Sequence, residues 1–89
     1  MTTLQLGNMN PGDSGIVSEI SIGDGTAESI VLAERLREIG FGEGLPLEVR
    51  HDSLFGRDPM AVKVGGMLVA LRRKEACQII VAIKSERAA

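Results

Sequence analysis

Apolar and polar residues alternate in short runs along most of this chain, and in one place they follow a helical period instead. Leu32, Leu36 and Ile39 fall at i, i+4 and i+7, which puts them on one face of a helix over Ala27–Ile39. Thr26 or Asp24 suits the N-cap, Glu28 the first turn, and Arg35 and Arg37 the last turns, where each charge complements the helix dipole. Gly40 stands where a helix commonly ends in a left-handed residue, and Gly42 and Gly44 allow a second turn before alternation resumes at Leu45, Leu47 and Val49. This helix, corner and strand organise the rest. Leu36 is the expected core residue of the helix.

The remaining runs read as strands. Residues 16–22 alternate so that Ile16, Ile20 and Ile22 share the expected buried face, and residues 45–51 form a second strand. Met60, Val62 and Val64 point inward from a third, and Gly65-Gly66 is a two-residue hairpin signal. Met67–Leu71 is apolar on both faces, so it is expected to be covered on both sides, by the helix or by a partner; weak self-association is a further expectation. Residues 73–77 make a single turn, and residues 78–84 a last strand with Ile79, Val81 and Ile83 inward. Residues 4–13 form a lead-in ending in the turn Asn10-Pro11-Gly12-Asp13. Five short strands with one helix between the first and second predict a mainly β fold, a small and strongly bent barrel whose closure would hide its edges.

Composition narrows the picture. Eighty-nine residues make one domain, residues 1–89. Hydrophobic residues are 44% and aromatic ones 2%, so the core is aliphatic. A net charge of -2 and a pI near 5.3 argue against a nucleic-acid partner. A single cysteine, Cys77, excludes an internal disulfide and points to the cytoplasm. The first residues carry neither a basic nor an apolar leader pattern, so no signal peptide is expected, and the longest apolar run, Met67–Leu71, is far too short to span a membrane.

Candidate chemistry is sparse. His51 and Asp52 supply at most two metal ligands, and nothing in the spacing brings Asp58 or Cys77 to them, so no metal site is expected. Cys77 has no cysteine partner or evident base and reads as a small buried hydrophobe. The glycines at 40, 42 and 44 follow a helix instead of opening one, which excludes a phosphate loop. No catalytic residue and no cofactor site emerge. Arg72-Arg73-Lys74 is a solvated turn, with an acidic partner surface as the sharper reading. Phe41, Leu54 and Phe55 lie in glycine- and turn-rich segments, where large apolar groups either cap the barrel or form an exposed contact for a partner.

Taken in order, these segments resemble the ferrous iron transport protein A (FeoA) family. Asn10-Pro11-Gly12-Asp13-Ser14-Gly15-Ile16-Val17 resembles its opening Pro-Gly-x-x-Gly-x-Ile/Val, and Arg35-Leu36-Arg37-Glu38-Ile39-Gly40-Phe41 its Arg-Leu-x-Glu-Leu-Gly-Phe/Leu helix end. Residues 44–49, 56–64 and 68–79 carry three further segments in the family's order. Glu43 departs from the pattern, standing where the family usually has proline. The resemblance implies an SH3-like barrel with a helical insertion, related to the C-terminal domain of DtxR-type metalloregulators. It also implies a non-enzymatic cytoplasmic accessory of the FeoB membrane iron transporter. Phe41, Leu54, Phe55 and Arg72 are the expected docking residues; Leu36, Gly40, Gly44, Gly65 and Gly66 are the expected structural ones. A metal-sensing domain using carboxylates and His51 is the alternative, and an RNA-binding small barrel a more distant one.

Overall fold

Helix α1 (Ala27–Ile39) occupies the span that its apolar period predicts. The computed structural model describes residues 2–52 and 57–83. Thr26 caps the helix, its hydroxyl accepting the Ser29 N–H at 3.2 Å. Asp24 braces that cap by accepting from the Thr26 N–H at 3.1 Å and from the Thr26 and Ser29 hydroxyls, each at 2.9 Å. These donors, the Thr26 amide foremost, stabilise the carboxylate and hold its pKa below the ordinary value.

Six strands form one antiparallel sheet. They are β1 (Thr3–Gln5), β2 (Ser14–Ile20), β3 (Pro46–Asp52), β4 (Met60–Val64), β5 (Met67–Leu71) and β6 (Ile79–Ile83), in the order β1-β6-β2-β3-β4-β5. The expected count of five omits β1, which lies in the presumed lead-in and pairs with β6 through Thr3↔Ala82 and Gln5↔Ile80. A 3₁₀ turn (Leu6–Asn8) follows it and sends Leu6 and then Met9 into the core. Such short elements carry no readable period, because a strand of three residues spans little more than one alternation.

The first long strand also differs from its expected face. β2 stays in register with β6 to Val17↔Val81 and then slips, so that Glu19 faces Ile80 and Ser18 is the extra residue of a bulge. A bulge inverts the alternation beyond it. Val17 and Ile20 are therefore the buried residues, Ile16 is half-buried, and Ile22, past the strand end, is 50% exposed. Met60, Val62 and Val64 point inward as expected, as do Ile79 and Val81, with Ile83 half-buried at the margin. Residues from β2 through β6 join Ala33 and Leu36 of α1 in one hydrophobic cluster, which requires the sheet to curl around it.

The short helix α2 (Arg73–Ala76) closes the chain back onto its start. Its Arg73 guanidinium donates to the carbonyls of Gly7 (3.0 Å), Met9 (2.8 Å) and Arg57 (2.8 Å), while its backbone N–H donates to Asp58 Oδ1 at 2.8 Å. Arg57 in turn donates to the side-chain oxygen of Asn10. One side chain thus ties together carbonyls of two segments far apart in the chain. Gly7 makes the close approach feasible, since a Cβ there would lie 2.4 Å from the Arg73 carbonyl oxygen and 2.5 Å from Cys77 Sγ. At the other end of α1, Gln78 Nε2 donates to the carbonyls of Ser21 (2.9 Å) and Ser29 (3.0 Å), fastening the start of the helix to the end of β2.

Candidate functional site

The glycine corner after α1 is a structural element and not a contact. Gly40 adopts φ 135°, its N–H bonds to the Arg37 carbonyl at 3.2 Å, and the Phe41 N–H reaches the Leu36 carbonyl at 3.1 Å. This is a Schellman motif, which folds the residue after the glycine back over the last helical turn. Phe41 is consequently fully buried, 0% exposed, in the same cluster as Leu36. The expectation that Phe41 offers a partner contact is therefore corrected: it is a core residue, as the barrel-capping reading had it. Gly44 and Leu45 then bond to Val17 on β2 (2.8 and 2.9 Å), so the corner itself sets the register of the returning chain. Glu43 forms an exposed ion pair with Arg37 at 3.7 Å.

Of the other expected docking residues, Leu54 and Phe55 lie outside the described residues. Arg72 is exposed at the start of α2, directly after β5, where Glu75 accepts its backbone N–H at 3.3 Å. The expected hairpin is present, with Gly65 and Gly66 both at positive φ between Val64 and Met67. Among the described residues, the outer face of β5 is left largely exposed. Met67 is 47% and Leu68 64% exposed, Ala70 is exposed, and only Val69 and Leu71 reach the core. Met67 lies against Gly40 at the end of the helix, so α1 shelters one end of β5 and leaves its outer face open.

That outer face is basic as well as apolar. Arg50, His51, Lys63, Gly66 and Leu68 line a cleft of about 340 Å³. The bulge between Val49 and His51 on β3 gathers them, re-aiming Arg50 and His51 where a regular strand would separate them. Glu48 pairs opposite Lys63 across β3 and β4, on the side of the cleft away from β5. The acidic residues of α1 (Glu28, Glu34 and Glu38) are exposed on a different element. A chain of net charge -2 thus presents a locally positive surface beside Leu68, the most exposed leucine among the described residues. Neither composition nor alternation signals this cleft, because the bulge that assembles it leaves no mark in the sequence.

Asp58, Cys77 and His51, weighed as metal ligands, do not meet. Asp58 accepts the Arg73 N–H, Cys77 sits half-buried against the Gly7 turn, and His51 lies on the outer cleft. Among the described residues, no group of three or more His, Cys, Asp or Glu could hold a metal ion.

A curled antiparallel sheet with a helix inserted between β2 and β3 is an SH3-like module, mainly β. The chain belongs to the FeoA family: the FeoA domain matches residues 4–83. The family is one of non-enzymatic accessory domains linked to ferrous iron transport. Among solved structures, the chain is similar to the zinc-complexed FeoA of Stenotrophomonas maltophilia, described as a procaryotic SH3 domain protein and a candidate ferrous iron transport activating factor. The two are 30% identical over 92% of this chain and 91% of that one, with a TM-score of 0.73. It is also similar to the FeoA protein of Chlorobium tepidum, at 33% identity over 92% of this chain and 71% of that one, TM-score 0.74. A manganese-dependent transcriptional repressor in complex with manganese is 25% identical with a TM-score of 0.77; the match covers 94% of this chain but 38% of the repressor. No curated protein matches the sequence significantly. Among the described residues, no helix is long and apolar enough to cross a membrane.

Proposed function

We propose that this single-domain protein is a cytoplasmic, non-enzymatic accessory of ferrous iron uptake that acts by binding an FeoB-type membrane transporter. The family match over residues 4–83 carries the reading. The exposed apolar and basic surface of β5 and its neighbours supports it, because a contiguous patch of this kind on a small domain is a feature of interaction sites. The docking residues are Leu68, Arg50, Lys63 and Arg72, together with Leu54 and Phe55 of the β3–β4 connection. Phe41 is not among them. Leu68→Glu and the double variant Leu54→Asp/Phe55→Asp test the assignment in a strain lacking its own copy of the protein. Both should keep the wild-type melting temperature, lose capture of the transporter's cytosolic domain and fail to restore ferrous iron uptake. Folded variants that capture and restore as wild type does would refute the surface.

A further inference from the structure

The open side of β5 is a row of backbone groups as well as a patch of side chains. The two-residue turn at Gly65-Gly66 makes Val64↔Met67 a hydrogen-bonded pair, and the alternation of an antiparallel ladder repeats that at Val62↔Val69 and Met60↔Leu71. Met67, Val69 and Leu71 therefore spend their N–H and C=O groups on β4. Leu68 and Ala70 point theirs the other way. No strand neighbours β5 on that side in the sheet order, and among the described residues neither Leu68 nor Ala70 bonds to a turn or loop. Natural edge strands are usually protected by a charge, a proline or a bulge. Met67–Leu71 has none of these: its five residues are uncharged and its pairing with β4 runs without a register shift.

The geometry points to strand addition: the β5 edge takes an extended partner segment alternating acidic and apolar residues, which pairs with Leu68 and Ala70. The occupant follows from charge. Side chains of an added strand on the outer face lie beside Leu68 and one strand away from Lys63, within reach of the cleft formed with Arg50 and His51. Acidic groups there neutralise a positive surface, with Arg72 closing the far end of the strand. On the inner face, apolar groups of the added strand continue the row of Met67 and Val69. A second copy of this chain would bring the same basic cleft and the same Arg72 to the junction, so charge opposes self-pairing. Glu48 lies beyond Lys63 and away from the added strand. Backbone bonds would give such a complex its affinity and the alternating side chains its specificity. The inference rests on the docking reading above and deepens it by naming the chemistry of the bound segment.

The test uses the full chain, labelled with ¹⁵N, and capped six-residue peptides alternating Glu and Val or Lys and Val, titrated to about 2 mM, the range of weak but measurable binding. The Glu/Val peptide should shift the Leu68 and Ala70 amide resonances and slow their exchange with solvent, and added salt should weaken it. The Lys/Val peptide should do neither. Arg50→Glu/Lys63→Glu, two exposed substitutions, should weaken Glu/Val binding roughly tenfold or more. Leu68→Pro removes an outward donor without touching the β4 ladder and should abolish the exchange protection. Equal response to both peptides, shifts elsewhere on the surface, or concentration-dependent protection of Leu68 and Ala70 without peptide would each overturn the proposal, the last in favour of a second copy. Failure of the peptides while Leu68→Glu still abolishes transporter capture would remove strand addition and leave the docking surface standing.

Discussion

Replacing Phe41 by alanine separates a core residue from a docking residue in one measurement. The ring is 0% exposed, closes the Schellman turn after α1 and packs in the cluster with Leu36, so its loss removes a large buried side chain and leaves a cavity. Phe-to-Ala truncations in such settings cost about 3–5 kcal/mol. A chain of 89 residues has a stability on the order of 4–13 kcal/mol, so the variant loses a large fraction of its total. At about 4–8 °C per kcal/mol for a domain of this size, the midpoint should fall by about 12–40 °C. The protein has no tryptophan or tyrosine, which makes far-UV circular dichroism in urea the natural readout. The m-value should stay unchanged, because the surface exposed on unfolding is nearly the same. Leu68→Ala is the internal control, since a side chain 64% exposed should alter stability by less than about 0.5 kcal/mol. A Phe41→Ala variant that loses under about 1 kcal/mol yet no longer binds its partner would show that the burial argument is wrong.

Three further predictions probe the devices that fasten the fold. Gly7→Ala places a methyl group 2.4 Å from the Arg73 carbonyl and 2.5 Å from Cys77 Sγ, so it should destabilise by about 1–3 kcal/mol or more in chemical denaturation; an unchanged midpoint would mean that the 3₁₀ turn and α2 are not packed as described. Thr26→Ala removes the N-cap of α1 and should cost about 0.5–2 kcal/mol. The same cap predicts an acid limb. The Asp24 carboxyl is held below its ordinary value of 3.8, so its contribution is present above that pH and is lost as pH falls through the depressed folded value. Asp24→Asn should flatten the melting temperature against pH below about 4, and an identical profile in the variant would contradict the assignment.

What the sequence disclosed depended on whether a feature was local. The limits of α1, the burial of Leu36, the turn at Gly65-Gly66 and the inward faces of β4 and β6 all follow from periods and turn residues within a dozen positions. The buried face of β2 departs from its alternation because one extra residue at Ser18 inverts parity, and a bulge has no composition of its own. Phe41 is not legible as a core residue because its neighbouring glycines suggest an exposed loop, whereas the hydrogen bonds of the corner turn the ring inward. Arg73 looked like part of a solvated basic turn. Its acceptors are backbone carbonyls of Gly7 and Met9, far away in the chain and identical in every residue type, so no sequence pattern can announce them. The candidate cleft was hidden for a related reason: the β3 bulge aims Arg50 and His51 at Leu68, a residue of another strand.

The pairing of β1 with β6 has a consequence for how this domain can be used as a building part. Thr3 lies opposite Ala82 in an antiparallel pair, so the chain enters and leaves the fold at the same place. A host polypeptide can therefore carry the domain on a short double stalk or as a terminal appendage without stretching either connection. β5 occupies the opposite end of the strand order from that attachment point. A tether through these ends and the strand addition proposed for β5 would thus fall on separate strands.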